Sequence, residues 1–416
     1  MEIQRQLLDQ DTVLLEFSLG KKQSWLWAVT ADTTLTHQLP AQRQIETAAR
    51  RVCELLTARQ PVKDETETEW RRRFAEADAE LPRASRSLSQ ILLGPISEKL
   101  RQEWKGKRLL LVAGGALEYV PFAALPAPSE ENVAEPLIAA HEIINLPSAS
   151  VLSAIRREAV GRRVPARGVA VLADPVFEET DPRVQARKSK HDRRNPPVHT
   201  RAAIAPRAAE SDLVRSVRSI ARETLSRLPF SREEAETIAS LAPKGSLLKA
   251  TDFRANRATA TGGELSNYRI VHLATHGLLN SEHPKLSGLV FSLVDESGKR
   301  QEGFVRLHEI YNLRLPADIV VLSACQTGLG KEIRGEGLVG LTRGFMYAGA
   351  QRVVASLWQV DDLAAAELMK RFYRGMLKDG MRPAAALRAA QLDLAKEKRW
   401  SSPFYWAAFV LQGEWK

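Results

Sequence analysis

The chain has 416 residues, 44% hydrophobic and 26% charged, with a formal net charge of +10; this is the balance of a globular protein with room for two or three domains. No apolar run reaches the ~18 residues of a membrane span, and Met1-Glu-Ile-Gln-Arg, acidic early and without a continuous apolar stretch, does not read as a secretory leader, so a cytoplasmic location is expected. Two cysteines, Cys53 and Cys325, exclude a disulfide framework and fit a reducing compartment.

Thr12-Val-Leu-Leu-Glu-Phe-Ser-Leu, Ser24-Trp-Leu-Trp-Ala-Val-Thr and Thr34-Leu-Thr-His-Gln-Leu read as strands, and Ile45 to Ala58 and Glu67 to Leu100 as helices. Ile45, Ala49, Val52, Cys53 and Leu56 share one helical face, which makes Cys53 a core residue. Arg108-Leu-Leu-Leu-Val-Ala-Gly-Gly115 is a buried strand ending in glycines. No period of 20 to 50 residues repeats, so tetratricopeptide arrays are not expected. These elements make a first unit, residues 1–160.

The alternation restarts in a second unit, residues 161–416, with the strand Gly168-Val-Ala-Val-Leu-Ala173. A basic loop over 178–227 follows. Its part from 183 to 207 holds eight lysines and arginines against Asp192 alone, together with Pro196, Pro197 and Pro206, the composition of a mobile surface loop. It lacks the interleaved aromatics that stack bases, so nucleic-acid binding is not expected. Ser231 and Glu234 spell a capping box for the next helix, which ends at Leu241-Ala-Pro243. Strands at Leu247 to Lys249, Arg269 to Ala274 and Asp318 to Ser323 precede a helix from Leu338 to Ala348 that stops at Gly349. Arg352 to Trp358 is another strand, Leu363 to Leu377 and Pro383 to Lys396 are helices, and Trp406 to Leu411 closes the sheet. Strands and helices in this order predict an α/β fold, a mostly parallel sheet with helices on both faces.

Chemistry in such sheets sits at the carboxyl ends of strands. Two strand-like runs end in Thr275-His276-Gly277 and Ala324-Cys325-Gln326, about fifty residues apart. A thiol and an imidazole on neighbouring strand ends form a pair in which the ring takes the thiol proton and the sulfur attacks. Cys325 is therefore the expected nucleophile, and His276 the general base and later acid. The loop Gln326 to Gly330 would let a substrate backbone approach. His272 lies mid-strand and is expected to be buried and inert, while His283 and His308 read as surface histidines. Asp361 or Asp362 can cap the helix that follows, and Trp358, Trp400, Trp406 and Trp415 read as packing anchors. No metal-ligand set and no phosphate-binding loop appears, so no cofactor is expected.

The stretches Leu273-Ala-Thr-His276-Gly277, Val321-Leu-Ser-Ala-Cys325-Gln-Thr-Gly328, Gly335-Glu-Gly337, Phe345-Met-Tyr-Ala-Gly349, Ala355-Ser-Leu-Trp358-Gln-Val-Asp-Asp362 and Pro403-Phe-Tyr-Trp406 resemble the CHAT peptidases, distant relatives of caspases and separase. Arg343 also resembles a family position. The resemblance implies a caspase-like sheet sandwiched by helices, with residues 161–416 as the catalytic unit and residues 1–160 as a degenerate caspase-like half supporting it. It implies oxyanion donors at the backbone N–H groups of Gly277 and Cys325. Trp358-Gln-Val-Asp-Asp362 resembles the separase stretch whose last acid lines the pocket for an arginine side chain, which points to Asp362, with Asp361 beside it.

The resemblance further implies a protein or peptide substrate cut after Arg or Lys, a regulatory protein partner, and a setting in bacterial defence or cell death. The arginine-rich, exposed character of 183–207 makes that segment a candidate for self-processing or for cleavage by a second copy, or else an electrostatic docking tail. The alternative reading is a catalytically silent module that binds a peptide in the same cleft.

Overall fold

The structure is a computed structural model that describes residues 2–62, 64–128, 135–162, 164–187, 225–280, 287–323, 325–329 and 337–416. In the first unit, strands β1 (Thr12–Ser18), β2 (Ser24–Val29) and β3 (Thr34–Leu39) lead into helices α1 (Gln42–Leu56) and α2 (Glu67–Leu93), then β4 (Arg108–Val112), β5 (Ile143–Leu146) and α3 (Ala149–Ala159). Helix α2 starts at a reciprocal cap: Glu69 N–H donates to Thr66 Oγ1 at 3.3 Å, and the Glu69 carboxylate accepts from Thr66 N–H at 2.9 Å. It ends at Gly94-Pro95 rather than running to Leu100, because proline has no N–H to continue the ladder. Cys53 is buried on α1 as its spacing predicts.

The second unit adds β6 (Arg167–Ala173), α4 (Pro229–Leu241), β7 (Leu247–Thr251), β8 (Tyr268–Ala274), β9 (His276–Asn280), β10 (Gly288–Val290), β11 (Phe304–Arg306), β12 (Ile319–Leu322), β13 (Cys325–Leu329), α5 (Gly337–Tyr347), β14 (Arg352–Ser356), α6 (Asp362–Leu377), α7 (Pro383–Ala395) and β15 (Phe409–Gly413). Among the described residues an 11-stranded sheet runs in the order β3-β2-β1-β4-β5-β15-β14-β12-β8-β6-β7. Strands β12 and β14 are buried along their whole length, as apolar strands covered on both faces by helices must be. The fold is α/β, with a large mostly parallel sheet flanked by helices.

Strand direction reverses once in the centre of this sheet. β15 is parallel to β5 but antiparallel to β14, so β4, β5 and β1 run opposite to β14, β12, β8, β6 and β7. The carboxyl ends of the two parallel sets therefore lie at opposite rims. The final strand, expected to close the sheet, is instead its central seam. Its neighbours tie the two sets together. Arg156 of α3 pairs with Glu414 at 2.6 Å and 3.1 Å, Arg388 of α7 donates to the Ile138 carbonyl at 2.7 Å, and the fully buried Trp415 lies under the Arg156 guanidinium at 4.4 Å.

Two local expectations are overturned. Ser231 and Glu234 form no capping box, since α4 starts at Pro229 with Leu228 as its unassisted cap; proline opens the helix early, and both polar side chains turn into the protein. The glycine-containing stretch after Cys325, read as a loop, is strand β13. It joins β9, β10 and β11 in a 4-stranded sheet of order β11-β10-β9-β13. Gly288 in β10 is required by close approach: a Cβ there would stand 2.2 Å from the Val305 carbonyl oxygen of β11.

No helix among the described residues is long and apolar enough to cross a membrane. Glu414 is mostly buried, so Arg156→Ala leaves a carboxylate without its partner. A loss of about 2–3 kcal/mol, reduced from the fully buried case by the partial exposure of Arg156, is expected from the urea-unfolding midpoint at pH 7. An unchanged midpoint would show that the seam is held by other contacts.

Candidate active site

The parallel strands of the second unit release their chains along one rim. In sheet order β7, β6, β8, β12 and β14, the residues at or just past the carboxyl ends are Asp252, Asp174, His276, Cys325 and the pair Asp361 and Asp362. Sequence-distant residues are thereby brought into one row.

β8 and β12 are hydrogen-bonded neighbours, with Leu273 opposite Leu322. The first chain leaves its strand at Thr275 and the second at Ser323, and the two pair again as β9 and β13 with His276 opposite Cys325 and Gly277 opposite Gln326. Adjacent strands lie about 4.8 Å apart. The backbone thus sets the histidine and the cysteine side by side.

His276 is buried at 1% exposure. Its Nε2 stands 2.6 Å from the carbonyl oxygen of Ser226. A carbonyl only accepts, so Nε2 carries the proton and the neutral ring keeps its lone pair on Nδ1. Nδ1 has no hydrogen-bond partner among the described residues. The Phe177 ring lies 5.2 Å from the imidazole, within a small apolar cluster that includes Leu225, Leu278, Val290 and Phe304. Burial lowers the pKa of His276 below its ordinary 6.5, against the opposing pull of the Ser226 carbonyl, because a low-dielectric wall disfavours imidazolium. The ring is therefore a neutral base at pH 7.

His272 faces a different environment. Its Nδ1 lies 2.9 Å from the Tyr373 hydroxyl on α6. Its Nε2 lies 3.0 Å from Glu234 Oε1 on α4, without a hydrogen bond between the two atoms. Ser323 Oγ donates to the other Glu234 oxygen at 3.2 Å. These four side chains make a buried polar floor that joins the base of the β12 strand end to helices α4 and α6.

Asp361 caps α6, its Oδ1 accepting from Ala364 N–H at 2.9 Å. Asp362 is half-buried and its Oδ2 accepts from Phe230 N–H at 3.1 Å. Burial pushes its pKa up to about 6, aided by the negative charges of Glu234, Asp361 and Asp174 and opposed by the Phe230 amide. A carboxylate held this close to neutrality gains most from an arriving cation.

Of the other residues singled out by sequence, His308 is exposed, and Trp358, Trp400, Trp406 and Trp415 are all buried, with Trp358 Nε1 donating to the Phe404 carbonyl at 3.0 Å. Arg343 lies 3.6 Å from Glu118, away from the row. His283, Gly335 and the greater part of the basic loop, residues 188–224, lie outside the described residues. Burial raises the Cys53 thiol to about 12, which leaves it unreactive. Among the described residues no cluster of three or more His, Cys, Asp or Glu side chains is placed to hold a metal ion. A cavity of about 730 Å³ bordered by Leu56, Leu81, Pro126 and Trp406 shares no residue with the row.

Ser226, Phe177, Tyr373 and Asp174 were not foreseen near the site, and Glu234 was expected only as a helix-cap residue. Ser226 acts through its carbonyl, which leaves no side-chain signature. Asp174-Pro175 directly after an apolar strand was a usable sign: Asp174 is wholly buried and adopts φ +48°, a left-handed conformation costing about 1–2 kcal/mol.

Residues 82–414 match the family model of the CHAT domain. Tetratricopeptide repeat protein 28 of Homo sapiens is 36% identical over 113 residues, 27% of this chain and 4% of that protein, and its Mus musculus counterpart is 38% identical over 105 residues, again 4% of that protein. The chain thus spans a small fraction of the curated relatives it matches. Two crystal structures of the Saccharomyces cerevisiae separase–securin complex superpose with TM-scores of 0.55 and 0.52 at 10% identity, covering 99% of this chain and 30% and 31% of those chains; the likeness is one of fold. Because the matched residues 82–414 are the greater part of the chain, it belongs to the CHAT domain family, with a caspase-like fold similar to that of separase.

Proposed function

We propose that the chain is a cysteine endopeptidase in which Cys325 is the nucleophile and His276 the base. The observation that carries this reading is the in-register pairing of Cys325 with His276, whose Nδ1 has no hydrogen-bond partner among the described residues. Nδ1 takes the thiol proton as sulfur attacks the scissile carbonyl. The proton then passes to the departing amine as the carbon–nitrogen bond breaks, leaving a thioester that water hydrolyses. The Ser226 carbonyl holds the ring in the required tautomer and faces the positive charge that forms on it. Gly277 and Cys325 supply the oxyanion donors in this reading, an assignment supported by their places at paired strand starts.

Asp362 is the acid for a basic side chain before the cut, with Asp361 reserved for the helix cap. Its half-burial supports this, because an arginine fork would replace the solvation that burial removes. Residues 1–160 serve as a support whose strand ends face the opposite rim. Self-processing, where it occurs, takes place beyond Arg183, since that guanidinium is engaged by Asp181 at 2.7 Å and by Asp252 at 2.9 Å. Yeast separase is found in complex with securin, and by analogy a protein partner binds and regulates this chain, in a bacterial defence or cell-death setting.

In assays with arginyl fluorogenic peptides, Cys325→Ala abolishes turnover and His276→Ala lowers it about 10²–10⁴-fold. A chain that binds these peptides but leaves them uncut would instead be the silent peptide-binding module.

The pH dependence separates the two acids of the mechanism. Asp362 must be ionised to hold arginine, so kcat/KM falls as pH drops through about 6, where the carboxyl becomes neutral. Asp362→Asn lowers kcat/KM for arginyl peptides at least about tenfold, the loss of one charged contact, and removes that limb. The acid limb that remains belongs to His276 and lies below the ordinary histidine value. An Asp362→Asn profile identical to wild type would remove Asp362 from substrate recognition.

A further inference from the structure

The segment 225–230 is irregular until α4 begins at Pro229, yet two of its backbone groups serve the site. The Ser226 carbonyl orients His276, and the Phe230 N–H holds Asp362. Ser226 and Arg227 are exposed, so only Leu225 and Leu228 anchor the stretch by burial.

A further hold among the described residues comes from Asp174, at the end of β6. Arg227 makes a two-pronged contact with Asp174, Nε to Oδ1 at 3.0 Å and Nη2 to Oδ2 at 2.9 Å. Arg232, one turn into α4, donates to the same Oδ2 at 2.8 Å. Asp174 N–H donates to Ser231 Oγ at 3.1 Å, and that hydroxyl donates to the Leu228 carbonyl at 2.7 Å. Ala173 is paired with Thr251, which sets Asp174 beside Asp252, the partner shared by Arg183 and Arg232. Both aspartates have left-handed backbones, φ +48° and +53°, and a carboxylate at each is aimed back at the guanidinium groups. Strain kept at two adjacent strand ends is sustained by surroundings that fix it.

We infer that Asp174 and Arg227 are a positioning pair that fixes the catalytic base and the specificity acid together, by clamping the segment whose carbonyl orients His276 and whose amide holds Asp362. This rests on the roles of His276 and Asp362 proposed above. Neither Asp174 nor Arg227 touches the reacting atoms. Their effect runs through the Ser226 carbonyl and the Phe230 amide. The fork geometry matters, since lysine keeps the charge but not the two parallel contacts.

The test compares Arg227→Gln and the milder Arg227→Lys with Arg183→Gln, a variant that removes a guanidinium from the same two aspartates without touching 225–230. Histidine nitrogen NMR is recorded on the full chain carrying Cys325→Ala, with His276→Gln for assignment, so the readout needs no turnover. In the Cys325→Ala chain His276 shows a single Nε2-protonated tautomer. Arg227→Gln converts it to an exchanging mixture, Arg227→Lys does so partly, and Arg183→Gln leaves it intact. With Cys325 present, Arg227→Gln also raises KM and lowers kcat for arginyl peptides, giving a combined fall in kcat/KM of about tenfold or more, while the melting temperature moves little. Unchanged His276 nitrogens in Arg227→Gln, or equal disturbance by Arg183→Gln, would overturn the inference. If the chain cleaves nothing while the tautomer still responds to Arg227→Gln, the positioning stands and the peptidase reading fails.

Discussion

The register between two neighbouring parallel strands is the constraint on which the site depends. β8 and β12 are fixed side by side by buried apolar residues on both faces, and the same chains pair again immediately beyond, as β9 and β13. A slip of one residue would move every side chain to the other face and bury the wrong residues in the main core. Core packing therefore enforces the juxtaposition of positions 276 and 325, which lie just beyond the two core strands. The buried floor of Glu234, His272, Tyr373 and Ser323 adds polar contacts directly beneath this junction.

A second organising feature is the sorting of charge along the rim. Five acids, Asp174, Asp252, Glu234, Asp361 and Asp362, gather near one row of strand ends. Asp174 and Asp252 are met by guanidinium groups, and Asp361 spends its oxygen on a helix N-terminus, where negative charge is favoured. Among the described residues Asp362 receives only an amide N–H and stays under the influence of the others. It is the acid with a charge deficit that a cationic side chain can fill. His276, by contrast, lies against Phe177 in an apolar niche, so the same rim holds a neutral imidazole near a group of carboxylates.

Most of the large sheet was legible in the sequence because its strands are continuous apolar runs whose burial is decided locally. The small sheet was not. β9, β10, β11 and β13 have three to five residues each and contain Gly277, Gly288 and Gly328, so a local reading finds turns where non-local pairing makes strands. The Ser231–Glu234 pattern misled for a related reason. Its spacing matches a helix cap, but burial against His272 and Asp174 gives both side chains tertiary partners. β15 was foreseen as a strand, while its place at the seam depends on β5, a strand whose four residues alternate in burial. Cys325 and His276 were legible as residue types at strand ends. Ser226 was not, because a carbonyl oxygen is common to every residue.

The proposed activation of Cys325 by His276, for attack on a carbonyl beside a basic side chain, can be read with an arginyl chloromethyl ketone, the labelled residue being located by mass spectrometry. One adduct is expected, on Cys325, formed rapidly in the native chain and slowed by orders of magnitude in His276→Ala, while Cys53 stays unlabelled. Equal labelling of Cys325 with and without His276, or no labelling of Cys325 in the native chain, would contradict it.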